Sequence, residues 1–227
     1  MVNIQAWQAL KDAFDKAAVT LVAVSKTKPA SDIQDLYNLG QRHFGENYVQ
    51  ELCEKQGILP QDIHWHFIGH LQSNKVKYIA PFVHLIHTVD SLKLLKEINK
   101  EAAKQNRVIQ VLLQVFIASE ETKFGLDTTE LYDLLDNYKS NAALFANITI
   151  CGLMGMASNT NNQSLIKEEF TKLKHVFNAI QSGYFAHQSC FNTCSMGMSS
   201  DYELAIQCGS NMVRIGSLLF GQRNYTH

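Results

Sequence analysis

Lys26 ends the apolar run Leu21-Val22-Ala23-Val24-Ser25. A lysine amine at the end of a buried strand condenses with an aldehyde to form a Schiff base once a low-dielectric pocket lowers its pKa. Far along the chain, Ser195-Met196-Gly197-Met198-Ser199 and Arg214-Ile215-Gly216-Ser217 place small residues at expected strand-to-helix turns, where backbone N–H groups and hydroxyls cradle phosphate. An amine for an aldehyde and a cradle for a phosphate, serving one small molecule, point to pyridoxal 5'-phosphate (PLP). Alone, Lys26 in Ser-Lys-Thr-Lys reads as an ordinary surface lysine, and the distant cradle changes that reading. Lys28 is the competing amine, but it precedes Pro29 and is expected on the rim, pointing elsewhere. Ser199, Ser200 and Asp201 stand where a helix should begin, with N–H groups directed outward. The chain has no GxxxxGK or GxGxxG sequence, so a nucleotide-binding loop is not indicated.

Other residues have two readings. Gly45-Glu46-Asn47 closes an expected strand, and Asn47 is either a helix cap or a hydrogen-bonding group beside a cofactor ring. His64, His66 and His70 form His-x-His-x3-His, with His64 and His66 on one strand face. Without an acidic third ligand this spacing does not define a zinc site. His66 is expected to line the pocket or to sit in the core, and no metal is expected. Cys53, Cys151, Cys190, Cys194 and Cys208 include no Cys-x-x-Cys pair. They read as free thiols of a reducing compartment, used in packing.

Positioning these groups requires a particular scaffold. Eight β-like runs recur, at 20–25, 42–46, 64–69, 84–88, 108–117, 147–154, 192–196 and 211–216, and helical stretches fit between most of them. Ser31 with Gln34 suggests a capping box before Gly40. The stretches 47–56 and 73–80 stop before Gly57 and Pro81. Ser91 and Thr128 are the expected caps of 92–104 and 129–139. The stretches 163–182 and 200–208 end at Gly183 and Gly209. This alternation predicts parallel strands with crossover helices. A doubly wound sheet is the rival arrangement, and 227 residues is short for a TIM barrel. The barrel is favoured because it brings the first and eighth strands together and binds phosphate after the seventh and eighth. In it, Val22, Val24 and Lys26 share one face, Met212, Arg214 and Gly216 another, and Lys26 and Arg214 converge. Only Gln222 to His227 follow Gly221, too few for a last helix, so the stretch 4–18 is expected to cover the gap.

The net charge of −1 and the absence of a basic run argue against nucleic acid as a partner. The start of the chain lacks the layout of a signal peptide, and no run approaches the ~20 apolar residues of a membrane span. A cytoplasmic location without membrane attachment is expected.

Several longer motifs carry a resemblance. Ala23-Val24-Ser25-Lys26-Thr27-Lys28-Pro29, Phe44-Gly45-Glu46-Asn47-Tyr48-Val49-Gln50-Glu51, Trp65-His66-Phe67-Ile68-Gly69 and Leu71-Gln72-Ser73-Asn74-Lys75 come first. Gly152-Leu153-Met154, Ser195-Met196-Gly197-Met198-Ser199 and Val213-Arg214-Ile215-Gly216 follow. From about residue 20 to residue 225 the chain resembles the YggS/PROSC family of pyridoxal phosphate homeostasis proteins. The resemblance implies a single α/β domain over 1–227, a TIM (β/α)8 barrel of the PLP fold type III kind, like the N-terminal domain of alanine racemase but lacking the C-terminal β domain of racemases. It implies PLP held covalently on Lys26, with Ser195, Gly197, Met198, Ser199, Gly216 and Ser217 around the phosphate, Arg214 at the pyridine nitrogen, and Asn47 and His66 near the ring. One departure stands out, Lys123-Phe124-Gly125 in place of Lys-Ser-Gly.

The resemblance further implies a cytosolic protein that supports vitamin B6 and amino-acid homeostasis without established turnover, so no catalytic residue is assigned. The expected partners are PLP and apo forms of PLP-dependent enzymes, and a monomer is expected. The alternatives are a fold type III racemase or decarboxylase, and a cofactor-free Schiff-base aldolase. An always-charged arginine at the pyridine nitrogen weakens the ring as an electron sink. A racemase also needs a second base, which alanine racemases take from a partner subunit. An aldolase needs an acid near Lys26, and Glu46 is the nearest candidate.

Overall fold

The computed structural model describes residues 2–119 and 124–221. Lys123 and the stretch Gln222 to His227, weighed above, lie outside the described residues. Eight parallel strands close into a barrel in chain order. They are β1 (Thr20–Val24), β2 (His43–Glu46), β3 (His64–Phe67), β4 (Leu85–Val89), β5 (Ile109–Gln114), β6 (Ile148–Met154), β7 (Thr193–Met198) and β8 (Met212–Ile215). Each matches an expected run to within a few residues, and β1 pairs with β8 in the register Val22 to Arg214.

The helices are α1 (Ile4–Lys16), α2 (Ala30–Asn38), α3 (Val49–Ile58), α4 (Val76–Ile79), α5 (Leu92–Lys104), α6 (Thr128–Ser140), α7 (Gln163–Tyr184), α8 (Tyr202–Gln207) and α9 (Ser217–Phe220). Helix α1 buries Trp7, Leu10 and Phe14, and the Asn3 N–H donates to the Leu219 carbonyl at 2.8 Å. The N-terminal helix is thereby tied to the turn after β8, the position expected of stretch 4–18.

Several helix ends differ from expectation. Helix α2 begins directly after Pro29, with Ser31 inside its first turn and no side-chain cap. Asp127, not Thr128, caps α6. It accepts the Glu130 N–H while the Glu130 carboxylate accepts the Asp127 N–H, a reciprocal box that outcompetes a lone threonine. Helices α3 and α7 run through Gly57 and Gly183. A mid-helix glycine costs about 1 kcal/mol against alanine without ending a packed helix. Ser91 caps α5 as expected, accepting the Leu94 N–H.

Strand alternation divides the buried residues into two sets. Outward side chains such as Phe44, Trp65, Val111 and Ile150 pack in the large core, which also holds buried residues of the helices. Val22, Leu85, Leu112, Cys151, Met154 and Met212 form a separate apolar cluster, drawn from strands around the barrel and filling part of its lumen. Burial pushes the thiols of Cys151 and Cys194 up to about 11, so both stay protonated and serve as packing groups.

The end of β3 passes very close to the loop after β2. A Cβ placed on Gly69 would stand 2.1 Å from the Asn47 carbonyl oxygen. Gly69→Ala must therefore displace the backbone that carries Asn47. The expected loss is about 1–3 kcal/mol, read as a lowered urea midpoint with an unchanged m-value.

Candidate functional site

A cavity of about 410 Å³ opens at the C-terminal ends of the strands, within the size range of small-ligand sites. Val24 and Lys26 reach it from β1 and the residues after it, and Arg214 and Gly216 from β8. The two strands thus present alternate residues to one space, as their period of two requires. Lys26, Asn47, Met198, Ser199, Arg214, Gly216 and Ser217 meet on this wall. Lys28 is on it too, contrary to the expectation that it points elsewhere. The turn that places it closes with the Lys28 N–H donating to the Ser25 carbonyl at 3.1 Å.

The other three residues expected here lie off the wall, each for a physical reason. Ser195 is fully buried, its Oγ accepting from Arg214 Nη1 at 2.7 Å. The register between β7 and β8 shifts between Ser195 and Met198, which separates Ser195 from the residues that reach the cavity. Gly197 has φ +98°, and a Cβ there would stand 2.6 Å from the Ala205 Cβ. Glycine is required so that β7 can lie against α8. His66 is enclosed within the barrel, fully buried and hydrogen-bonded to His43 and His87. Ile68 and Met156 line the cavity without having been expected there. Single apolar side chains on loops leave no pattern in a sequence.

The phosphate-cradle segments are joined to each other, since the Gly216 N–H donates to Ser199 Oγ at 3.2 Å. The Asp201 N–H, expected to point outward, instead donates to the Met198 carbonyl at 3.1 Å, and the Met198 N–H donates to Asp201 Oδ1 at 2.6 Å. The cavity wall carries Lys26, Lys28 and Arg214 and, among the described residues, no carboxylate. Burial lowers the Arg214 guanidinium to about 10, and it remains charged at neutral pH. Asn47 Oδ1 is buried and has no hydrogen-bond partner among the described residues, a condition that a bound ligand relieves. An electropositive pocket lined by two lysines, three serines and the orphaned Asn47 amide oxygen fits a phosphorylated aldehyde such as PLP.

Two supports hold these residues in place. The first lies beneath Lys26. Lys55 Nζ donates to the Ser25 carbonyl at 2.8 Å, to Glu46 Oε1 at 2.7 Å and to Glu51 Oε1 at 2.7 Å. Ser25 Oγ donates to the same Glu46 oxygen at 2.6 Å. Glu51 also accepts the Thr27 N–H at 2.6 Å, fixing Thr27 at φ +63°, unusual for a β-branched residue. Glu46 therefore faces α3 rather than the cavity. The i,i+4 spacing of Glu51 and Lys55 was the available sequence signal for this clamp. The second support lies beneath Arg214. His43 Nδ1 and His66 Nε2 are 2.9 Å apart, His66 Nδ1 and His87 Nε2 2.8 Å, and His87 Nδ1 and Ser195 Oγ 3.3 Å. With Arg214 they form a continuous hydrogen-bonded file along the lumen. Arg214 Nη2 also donates to the Gly155 carbonyl at 3.1 Å.

The model of the family described as alanine racemase, N-terminal domain, matches residues 4–224. The chain is 38% identical over 214 residues to the pyridoxal phosphate homeostasis protein of Pasteurella multocida, covering 93% of this chain and 89% of the relative. It is 40% identical over 206 residues to the protein of the same name from Aquifex aeolicus, with coverages of 90% and 87%. Among solved structures, PipY of Synechococcus elongatus with PLP bound superposes with a TM-score of 0.81 and 35% identity, covering 90% of this chain and 93% of PipY. Alanine racemase from Bartonella henselae shares the fold at a TM-score of 0.65 and 16% identity. It matches 96% of this chain, which spans 59% of the racemase.

The clamp has a pH signature. Burial pushes the Glu46 carboxyl up to about 7, against the lowering influence of Lys55 and Ser25, while in the unfolded chain it ionises near 4.5. Between these values the native state holds the extra proton, so stability falls as pH rises through that window. Relative to Glu46→Gln, the wild type should lose unfolding free energy from about pH 4.5 to about pH 7 and level off above. Urea unfolding of both proteins across this range tests it, and parallel curves would refute the assignment.

Proposed function

The chain belongs to the alanine racemase N-terminal domain family, among its pyridoxal phosphate homeostasis proteins, and we propose that it carries PLP as a Schiff base on Lys26. The observation that carries this reading is the cavity that Lys26, just past β1, and Arg214, on the neighbouring β8, line together, with no carboxylate among its described lining residues. When bound, PLP supplies an aldehyde that captures amines and a ring that withdraws electrons. Lys26 is the covalent anchor. The hydroxyls of Ser199 and Ser217 and the backbone turn at Gly216 hold the phosphate, and Lys28 offsets part of its charge. Asn47 hydrogen-bonds the ring substituents.

Arg214 serves the pyridine nitrogen. Its charge disfavours a proton there and so limits electron withdrawal by the ring, which suits a carrier better than an enzyme. Ser195 and His87 are positioning residues that act through Arg214, and His66 acts through His87. The aldolase alternative lacks support, because Glu46 is turned into the clamp with Lys55. The racemase and decarboxylase alternative is less supported, as the relatives matched over most of their length are named for PLP homeostasis.

The proposed role is the intracellular upkeep of PLP, and with it of vitamin B6 and amino-acid pools, without catalytic turnover. The protein is read as one domain over 1–227, a cytoplasmic monomer. Apo PLP-dependent enzymes are its candidate recipients, and neither nucleic acid nor membrane is a partner. No helix among the described residues is long and apolar enough to cross a membrane.

Two measurements test the site. Protein incubated with PLP should gain a visible absorbance band that borohydride bleaches, with the reduced label mapping to Lys26. Lys26→Ala should lose both band and label. A single-site label that persists in the mutant would place the linkage elsewhere. Ser199→Ala should retain the band while weakening PLP binding by about 1 kcal/mol, seen as a higher dissociation constant in a spectral titration. An unchanged constant would remove Ser199 from the phosphate site.

A further inference from the structure

A second group of chemistry-bearing side chains lies at the other end of the barrel. His43 begins β2, His64 begins β3 and His84 immediately precedes β4, so the parallel register brings them together at the N-terminal mouth. His66, one pleat further in, faces the same group. The His64 and His84 rings stack with centroids 4.3 Å apart and an interplanar angle of 11°. His43 stands edge-on to His64 at 4.7 Å. His43, His66 and His84 each offer a ring nitrogen, and the three nitrogens lie within 4.8 Å of one another. His70, which the spacing grouped with His64 and His66, lies apart from them, paired with Asp90 and stacked on Phe124.

We infer that His43, His66 and His84 form a binding site for a divalent transition-metal ion of the zinc, cobalt or nickel class. Imidazole nitrogens select such ions over magnesium or calcium. Three neutral histidines with one position left open make a known zinc donor set. The separations suit the ion. Zn–N bonds of about 2.0–2.1 Å need donors somewhat over 3 Å apart, and His43 Nδ1 and His66 Nε2 are at 2.9 Å, so a small opening admits a metal. His43 and His84 are half-buried, leaving an approach from solvent. The nearest cations acting on the cluster are Lys11 and Arg107. Lys11 is paired with Asp15, and the Arg107 guanidinium donates to the Ala80 and Val83 carbonyls.

Ligation through His66 Nε2 requires a lone pair on that nitrogen, so the ring proton sits on Nδ1, facing His87. The metal gains a dative bond from each ring, and no proton is lost overall. Spacing along the chain carries no sign of this site, because its donors come from three strands and only one of them was among the histidines grouped in sequence. The inference is independent of the PLP reading.

The test uses the untagged full chain and cobalt(II). The expected result is one ion per chain by titration calorimetry, with d–d absorption and no thiolate-to-cobalt charge-transfer band. His84→Ala and His43→Gln should each weaken binding at least ten-fold, while Lys26→Ala leaves it unchanged. Should either histidine variant fail to fold, NMR of the wild type replaces it, and the ring signals of His43, His66 and His84, with those of the rings packed against them such as His64, should be the ones most strongly broadened by substoichiometric cobalt. Absence of stoichiometric binding, a thiolate band, undiminished binding in folded variants or broadening centred away from this histidine cluster would each overturn the site.

Discussion

One ammonium group holds the floor of the cavity. Lys55, buried between α3 and the barrel, bonds the end of β1 through Ser25, the end of β2 through Glu46, and the chain just past Lys26 through Glu51 and Thr27. Parallel strands end in loops with no ladder of their own, so the direction of a residue just beyond a strand depends on such tethers. Buried charge of this kind contributes little net stability, because desolvation offsets most of the attraction. Its value lies in geometry: three separate segments converge on one nitrogen, and a left-handed threonine becomes tolerable beside the lysine that faces the cavity.

The opposite wall is built differently. Arg214 is almost fully buried, and among the described residues its hydrogen bonds go to a hydroxyl and a backbone carbonyl, not to a carboxylate. The apolar cluster around Val22 and Met212 fills part of the lumen, and the histidine file takes the rest. The barrel interior is therefore mixed, apolar where it only needs filling and polar where it supports the site.

Much of this was legible in the sequence. The eight strands follow from short apolar runs alternating with helical periodicity, and closure with phosphate-binding turns after β7 and β8 follows from barrel topology. The convergence of Lys26 and Arg214 needed only the two-residue period of strands. What escaped the reading depended on three-dimensional detail. Ser195 and Gly197 belong to the right motif, but a shift in the β7–β8 register and the packing against α8 turn them away from the cavity. Lys28 was misplaced because a tight turn after Ser25 brings it back. His66 looked like a ring neighbour, but alternation also allows the deeper position it occupies. The meeting of His43 with His84 depends on the register of β2, β3 and β4, which no local pattern encodes.

The file beneath Arg214 has one fixed end. A guanidinium can only donate, so Ser195 Oγ turns a lone pair to Arg214 and keeps a proton and a second lone pair for its other contacts. Each neutral histidine along the file carries one proton and one lone pair. The rings relay in either sense, and Ser195 presents an oxygen to the buried cation in both. A barrel built this way keeps a permanent charge at the edge of its cavity with a hydroxyl and a carbonyl oxygen, and among the described residues no carboxylate, in hydrogen-bonding contact, leaving that charge available to whatever the cavity holds.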